Sequence, residues 1–78
     1  MADRLIELFA EGLRVDAGGL NEVTSPQNTP QWDSLAAMTL VTLIEDTFEV
    51  RLSTREIMKM NCIGAARTVL QAKGVADV

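Results

Sequence analysis

The chain has 78 residues, 47% of them hydrophobic, and a formal net charge of -4. That is room for one domain, residues 1–78, with a modest packed core, and the sign of the charge sets it against nucleic-acid backbones. With no His and with Cys62 as the only cysteine, an internal disulfide, a His/Cys metal cluster and a Ser-His-Asp or Cys-His catalytic arrangement are excluded, so no metal site and no catalysis are expected.

The first residues, Met1-Ala2-Asp3-Arg4, run directly into an amphipathic pattern rather than an apolar leader. No apolar run approaches membrane-spanning length, and the single cysteine suits a reducing compartment. The reading is a cytoplasmic monomer that does not insert into membranes. Leu5, Ile6, Leu8, Phe9 and Leu13 recur at helical spacing, with Asp3, Arg4, Glu7, Glu11 and Arg14 largely opposite them. This predicts a first helix over 3–14, with Asp3 placed to start it and Gly12 a weak point in its last turn.

From 15 to 31 the pattern dissolves into Gly18-Gly19, Asn21, Thr24-Ser25-Pro26, Asn28 and Thr29-Pro30, a long loop for so small a chain. Leu20 and Val23 are the side chains expected to pin it. Gly18-Gly19 lacks the spacing of a phosphate-binding fingerprint. Trp32 follows, either folded back as a hydrophobic staple on the next helix or left partly exposed to touch a partner.

A second helix is predicted over 34–49. Leu40, Val41, Ile44 and Phe48 form its core stripe, and Leu35, Met38 and Thr42 a second stripe that a few short helices cannot cover. Either Asp33 or Ser34 suits its N-cap. The same helix end, with unpaired N–H groups and the positive end of the macrodipole, also favours a phosphate ester on Ser34. Ser53-Thr54-Arg55-Glu56 is a capping-box signature opening a short third helix through Ile57, Met58 and Met60. Asn61 reads as the N-cap of a last helix over 62–73, with Ile63, Ala66, Val69 and Leu70 inward, Arg67 and Lys73 in water, and Gly74 as its stop. Cys62 reads as a small buried hydrophobe.

Asp33-Ser34-Leu35, the helix running through Leu40-Val41 and Ile44-Glu45 to Phe48, then Ser53 to Glu56, then Ile63-Gly64-Ala65-Ala66, together resemble the acyl carrier protein family. The likeness runs from a helix near Asp3 to one ending near Lys73. It implies an all-α fold, a small three-to-four-helix bundle with a long first loop. It also implies a stand-alone carrier, not an enzyme, in fatty acid, polyketide or a specialised lipid or secondary-metabolite pathway.

On that resemblance Ser34 carries a covalent 4'-phosphopantetheine arm supplied from coenzyme A, and Asp33 and Leu35 belong to the surface that a phosphopantetheinyl transferase recognises. Acyl-loading, condensing and other acyl-processing enzymes are the further partners. Trp32, Leu35, Met38, Thr42, Glu45 and Met58 are the candidate contact residues. The third helix of the family gates an acyl cavity, for which Ile57, Met58 and Met60 with Leu43 or Ile44 are the candidate lining. Where fatty-acid carriers usually show acidic residues after the Ser-Leu pair, this chain has Ala36, Ala37 and Thr39, and acidity returns only at Glu45, Asp46 and Glu49. At a Debye length of about 8 Å the steering field near Ser34 is therefore weaker, which points to a dedicated pathway with less basic partners. Two other readings stay open: an aminoacyl or peptidyl carrier, whose usual Gly-Gly-His/Asp-Ser-Leu context Gln31-Trp32-Asp33 does not match, and a helical interaction module in which Ser34 is only a cap.

Overall fold

The computed structural model describes residues 3–76 and 78. Met1, Ala2 and Asp77, and with them the reading of the extreme N-terminus and the full extent of the predicted domain, lie outside the described residues. Four α-helices are present and no strand among the described residues: α1 (Arg4–Leu13), α2 (Ser34–Phe48), α3 (Thr54–Lys59) and α4 (Ile63–Ala72), with one 3-10 turn at Ala17–Gly19 in the long first loop. The all-α bundle with a long first loop is thus the observed fold.

Each helix starts and stops for a local reason. Asp3 caps α1 by accepting from the N–H groups of Leu5 and Ile6 at 3.1 and 3.2 Å. Arg14 ends that helix in the left-handed region at φ 58°, and Glu49 does the same for α2 at φ 54°. These single αL residues turn the chain while their N–H groups close the last helical carbonyls. The predicted capping box is present: Ser53 Oγ accepts from Glu56 N at 3.1 Å, and Glu56 Oε1 accepts from Ser53 N at 2.9 Å. Gly74, at φ +86°, is the predicted stop after α4. The N-cap of α4 is Cys62 rather than Asn61: its Sγ accepts from Ala65 N at 3.3 Å. Cys62 is accordingly half-buried at a helix end and not a core hydrophobe.

The core is aliphatic with one aromatic pair. Phe9, Leu5, Leu40, Ile44, Ile63 and Leu70 are fully enclosed, drawn from α1, α2 and α4. Gly12 has a packing reason for being glycine, because a Cβ there would lie 2.6 Å from Leu40 Cδ2 and 3.1 Å from Leu43 Cδ1. The absent side chain lets α1 approach α2 closely.

The first loop is held by its backbone. Thr24 O accepts from Ile63 N at 3.0 Å and Glu22 O accepts from Gly64 N at 2.9 Å, so loop carbonyls take N–H groups that the start of α4 leaves unpaired. The buried residue at this joint is Thr24, 5% exposed, whereas Val23, expected as a pin, is 70% exposed. Leu20 is half-buried against the core. Nor do the two cations of α4 simply face water. Arg67 spans three segments, donating from Nη2 to Asp3 at 2.7 Å and from Nε to Glu22 at 2.9 Å, and the two carboxylates hold its pKa further above its ordinary value. Lys73 pairs with Glu56 at 3.0 Å, tying the end of α4 to α3.

Candidate functional site

The start of α2 is assembled by the chain immediately before it. A turn closes with Trp32 N donating to Thr29 O at 2.9 Å, and Pro30 and the extended Asp33 then aim the backbone into the helix. Asp33 is the N-cap: its Oδ1 accepts from Ala36 N at 2.9 Å, and its carbonyl accepts the first intrahelical bond, from Ala37 N at 2.9 Å.

That assignment settles which of the two neighbours is the cap, and it releases Ser34. Ser34 occupies the first helical position, is exposed, and among the described residues its hydroxyl takes part in no hydrogen bond with protein. The N–H groups of Ser34 and Leu35 lie too early in α2 for an intrahelical acceptor. The positive end of a 15-residue helix adds to them, so the hydroxyl sits where a phosphate ester is favoured electrostatically.

Trp32 stands directly behind this point, and the structure corrects its place as a contact residue. It is 6% exposed, its ring 5.2 Å from that of Phe9 and tilted by 59°. It folds inward, as the staple reading supposed, but its main partner is an aromatic of α1. An apolar cavity of about 40 Å³ remains beside it, lined by Phe9, Trp32, Ala37, Leu40, Val41, Ile57 and Met60. Of the residues expected to line a cavity, Ile57 and Met60 do so. Met58 points away at 76% exposure, and Leu43 and Ile44 pack elsewhere in the core.

The predicted second stripe of α2 is largely uncovered: Leu35 is 77% and Met38 70% exposed. Thr42 continues it, exposed, with its hydroxyl donating back to Met38 O at 3.2 Å. Glu45 is different. It is half-buried, and its Oε2 accepts from Leu52 N at 2.9 Å, so this carboxylate closes the connection between α2 and α3. The Phe9–Trp32 pairing and the docking of Thr24 O on Ile63 N are among the features that sequence reading missed; both are long-range contacts with no local periodicity to reveal them.

The small helical scaffold holds an exposed hydroxyl, that of Ser34, at the start of the longest of its described helices, beside an uncovered apolar strip. Residues 3–69 match the family model described as phosphopantetheine attachment site, and the chain belongs to this family, whose members bind 4'-phosphopantetheine covalently. A comparison with curated proteins finds no match. The donor set at the start of α2, two unpaired N–H groups and an unpartnered hydroxyl, fits that group. No helix among the described residues is long and apolar enough to cross a membrane.

Proposed function

We propose that Ser34 is the attachment residue and that the protein is an acyl carrier, serving fatty acid, polyketide or a specialised lipid or secondary-metabolite pathway. The observation that carries this reading is the division of labour between neighbours: Asp33 caps α2, which leaves the exposed Ser34 hydroxyl without a structural duty. When attached, the prosthetic group supplies a thiol that holds the cargo as a thioester. Everything else falls to the chain. Asp33 fixes the start of α2, the Ser34 and Leu35 N–H groups face the ester, and the strip of Leu35, Met38 and Thr42 offers a small apolar contact to a transferase and to successive acyl-processing enzymes. Contacts of this size suit brief encounters.

The scarcity of acidic residues along that strip, with Glu45 turned to Leu52 N, supports a dedicated pathway over the general fatty-acid one. The test is intact mass after incubating purified apo protein with coenzyme A and a permissive phosphopantetheinyl transferase. One phosphopantetheine increment is expected on the wild type and none on Ser34→Ala. An increment retained by Ser34→Ala would move the attachment elsewhere, and none on folded wild type would favour a non-carrying helical interaction module.

A further inference from the structure

The charge of this acidic molecule is unevenly placed. Between Arg51 and Lys59 lie three of its seven basic residues and one of its eleven acidic ones, which leaves that segment at +2 and the rest of the chain at -6. The single acid, Glu56, is already engaged: Oε1 accepts from Ser53 N, and both carboxylate oxygens accept from Lys73 Nζ at 3.0 Å. Arg51, Arg55 and Lys59 have no ion-pair partner among the described residues.

Helix stability does not account for Arg55. It sits in the first turn of α3, where the macrodipole disfavours a cation, whereas Lys59 in the last turn is at least aligned with it. Arg55 and Lys59 are four apart and so lie on one side of the helix. Met58, 76% exposed, stands with them along one shallow groove bordered also by Ser53 and Thr54. Two unpaired cations flanking an exposed, pliable thioether make a surface that is apolar at its centre and basic at its edge.

We propose that this outer face of α3 docks a partner protein whose surface sets acidic side chains around an apolar hollow that receives Met58. The partner's acids complement the basic segment from Arg51 to Lys59, while its remaining surface is repelled by the acidic majority, so the sign of the charge fixes which face is presented. The inference makes no use of Ser34 and stands or falls separately from the carrier reading.

The test is a nuclear magnetic resonance titration of the isotopically labelled, full-length chain with a synthetic amphipathic helical peptide of Glu and Leu, beside its twin in which every Glu is Lys. The Glu-Leu peptide is expected to shift the amide signals of Arg55, Met58 and Lys59 and the Lys-Leu twin to leave them in place. Raising salt from about 0.1 M to about 1 M, which shortens the Debye length from about 10 Å to about 3 Å, should weaken the response severalfold. In the Arg55→Glu, Lys59→Glu variant, its fold checked by circular dichroism, the preference between peptides should reverse; Arg55→Gln, Lys59→Gln serves if the reversal does not fold. An equal response to both peptides, a response centred away from α3, no response at all, or binding to phosphatidylglycerol vesicles without binding to the peptide would each overturn the proposal.

Discussion

At the start of α2 three consecutive residues have three different duties, and substitution separates them. Asp33→Ala removes the acceptor for Ala36 N and should cost about 1 kcal/mol of stability, while Asp33→Asn, which caps equally well, should cost little. Ser34→Ala touches no internal contact and should leave stability within about 0.5 kcal/mol, even as it removes the proposed attachment. Trp32→Ala withdraws a nearly enclosed ring from Phe9 and should cost about 3–5 kcal/mol. In a domain of this size that approaches the whole margin. Urea unfolding, followed by circular dichroism because Trp32 is the only tryptophan, ranks the four variants. The motif Asp33-Ser34-Leu35 was readable from local chemistry alone, since capping and helix-end electrostatics act within one turn. Which neighbour caps was not, because Asp and Ser compete nearly equally for that position and only backbone geometry decides. The burial of Trp32 was half-legible: a staple predicts that the ring folds inward, but its partner lies on a helix distant in sequence.

The helices themselves were written in the periodicity, and their joints were not. Apolar spacing placed α1 and α2 to within a residue at either end, and the capping box located α3. The N-cap of α4 fell at Cys62 rather than Asn61, where the loop carbonyls of Thr24 and Glu22 dock on Ile63 and Gly64, a constraint that no single-helix pattern contains. Arg67 shows the same limit. On its own helix it occupies a polar side, and only the arrival of the α1 cap and the first loop turns that side into a clamp. The clamp has a pH signature. Partial burial pushes the Asp3 carboxyl up, but the Arg67 hydrogen bond, the Ile6 and Leu5 N–H groups and the guanidinium charge together hold it below its ordinary value. A depressed carboxyl contributes stability that is fully present above the ordinary Asp pKa of about 3.9 and is lost as pH falls through the lower folded value. Glu56, held down by Ser53 N–H and then by Lys73, acts in the same direction. Thermal midpoints should therefore fall on acidification below about pH 4. Arg67→Met should be destabilised at neutral pH by about 1 kcal/mol at low salt, the pairs being partly exposed. Its midpoint should also fall less steeply through the acid range, because Asp3 has lost the partner that depressed it. A parallel pH profile in the two proteins would remove the clamp from the account of acid stability.

Taken together, the molecule is a cohesive unit of α1, α2 and α4 to which α3 is fastened at its ends. Every fully enclosed side chain belongs to the first three, and α3 buries none of its own residues. Its fastenings are Leu52 before it and Met60 after it, each 9% exposed, the Glu45 carboxylate on Leu52 N, and the exposed pair of Glu56 with Lys73. Releasing α3, which buries no residue of its own, should cost well below the global unfolding free energy. It also widens the space beside Trp32, because Ile57 and Met60 form one wall of that cavity. Native-state hydrogen exchange measures this directly. The amides of α3 should exchange with an opening free energy about 2 kcal/mol or more below that of Phe9 and Ile44, and with a weak dependence on denaturant. Glu45→Ala, which removes the acceptor from Leu52 N, should lower protection in α3 further and change the core amides of α1 much less. If instead α3 exchanges with the same free energy and the same denaturant slope as the core, its end-fastenings are as strong as burial, and the molecule opens only as a whole.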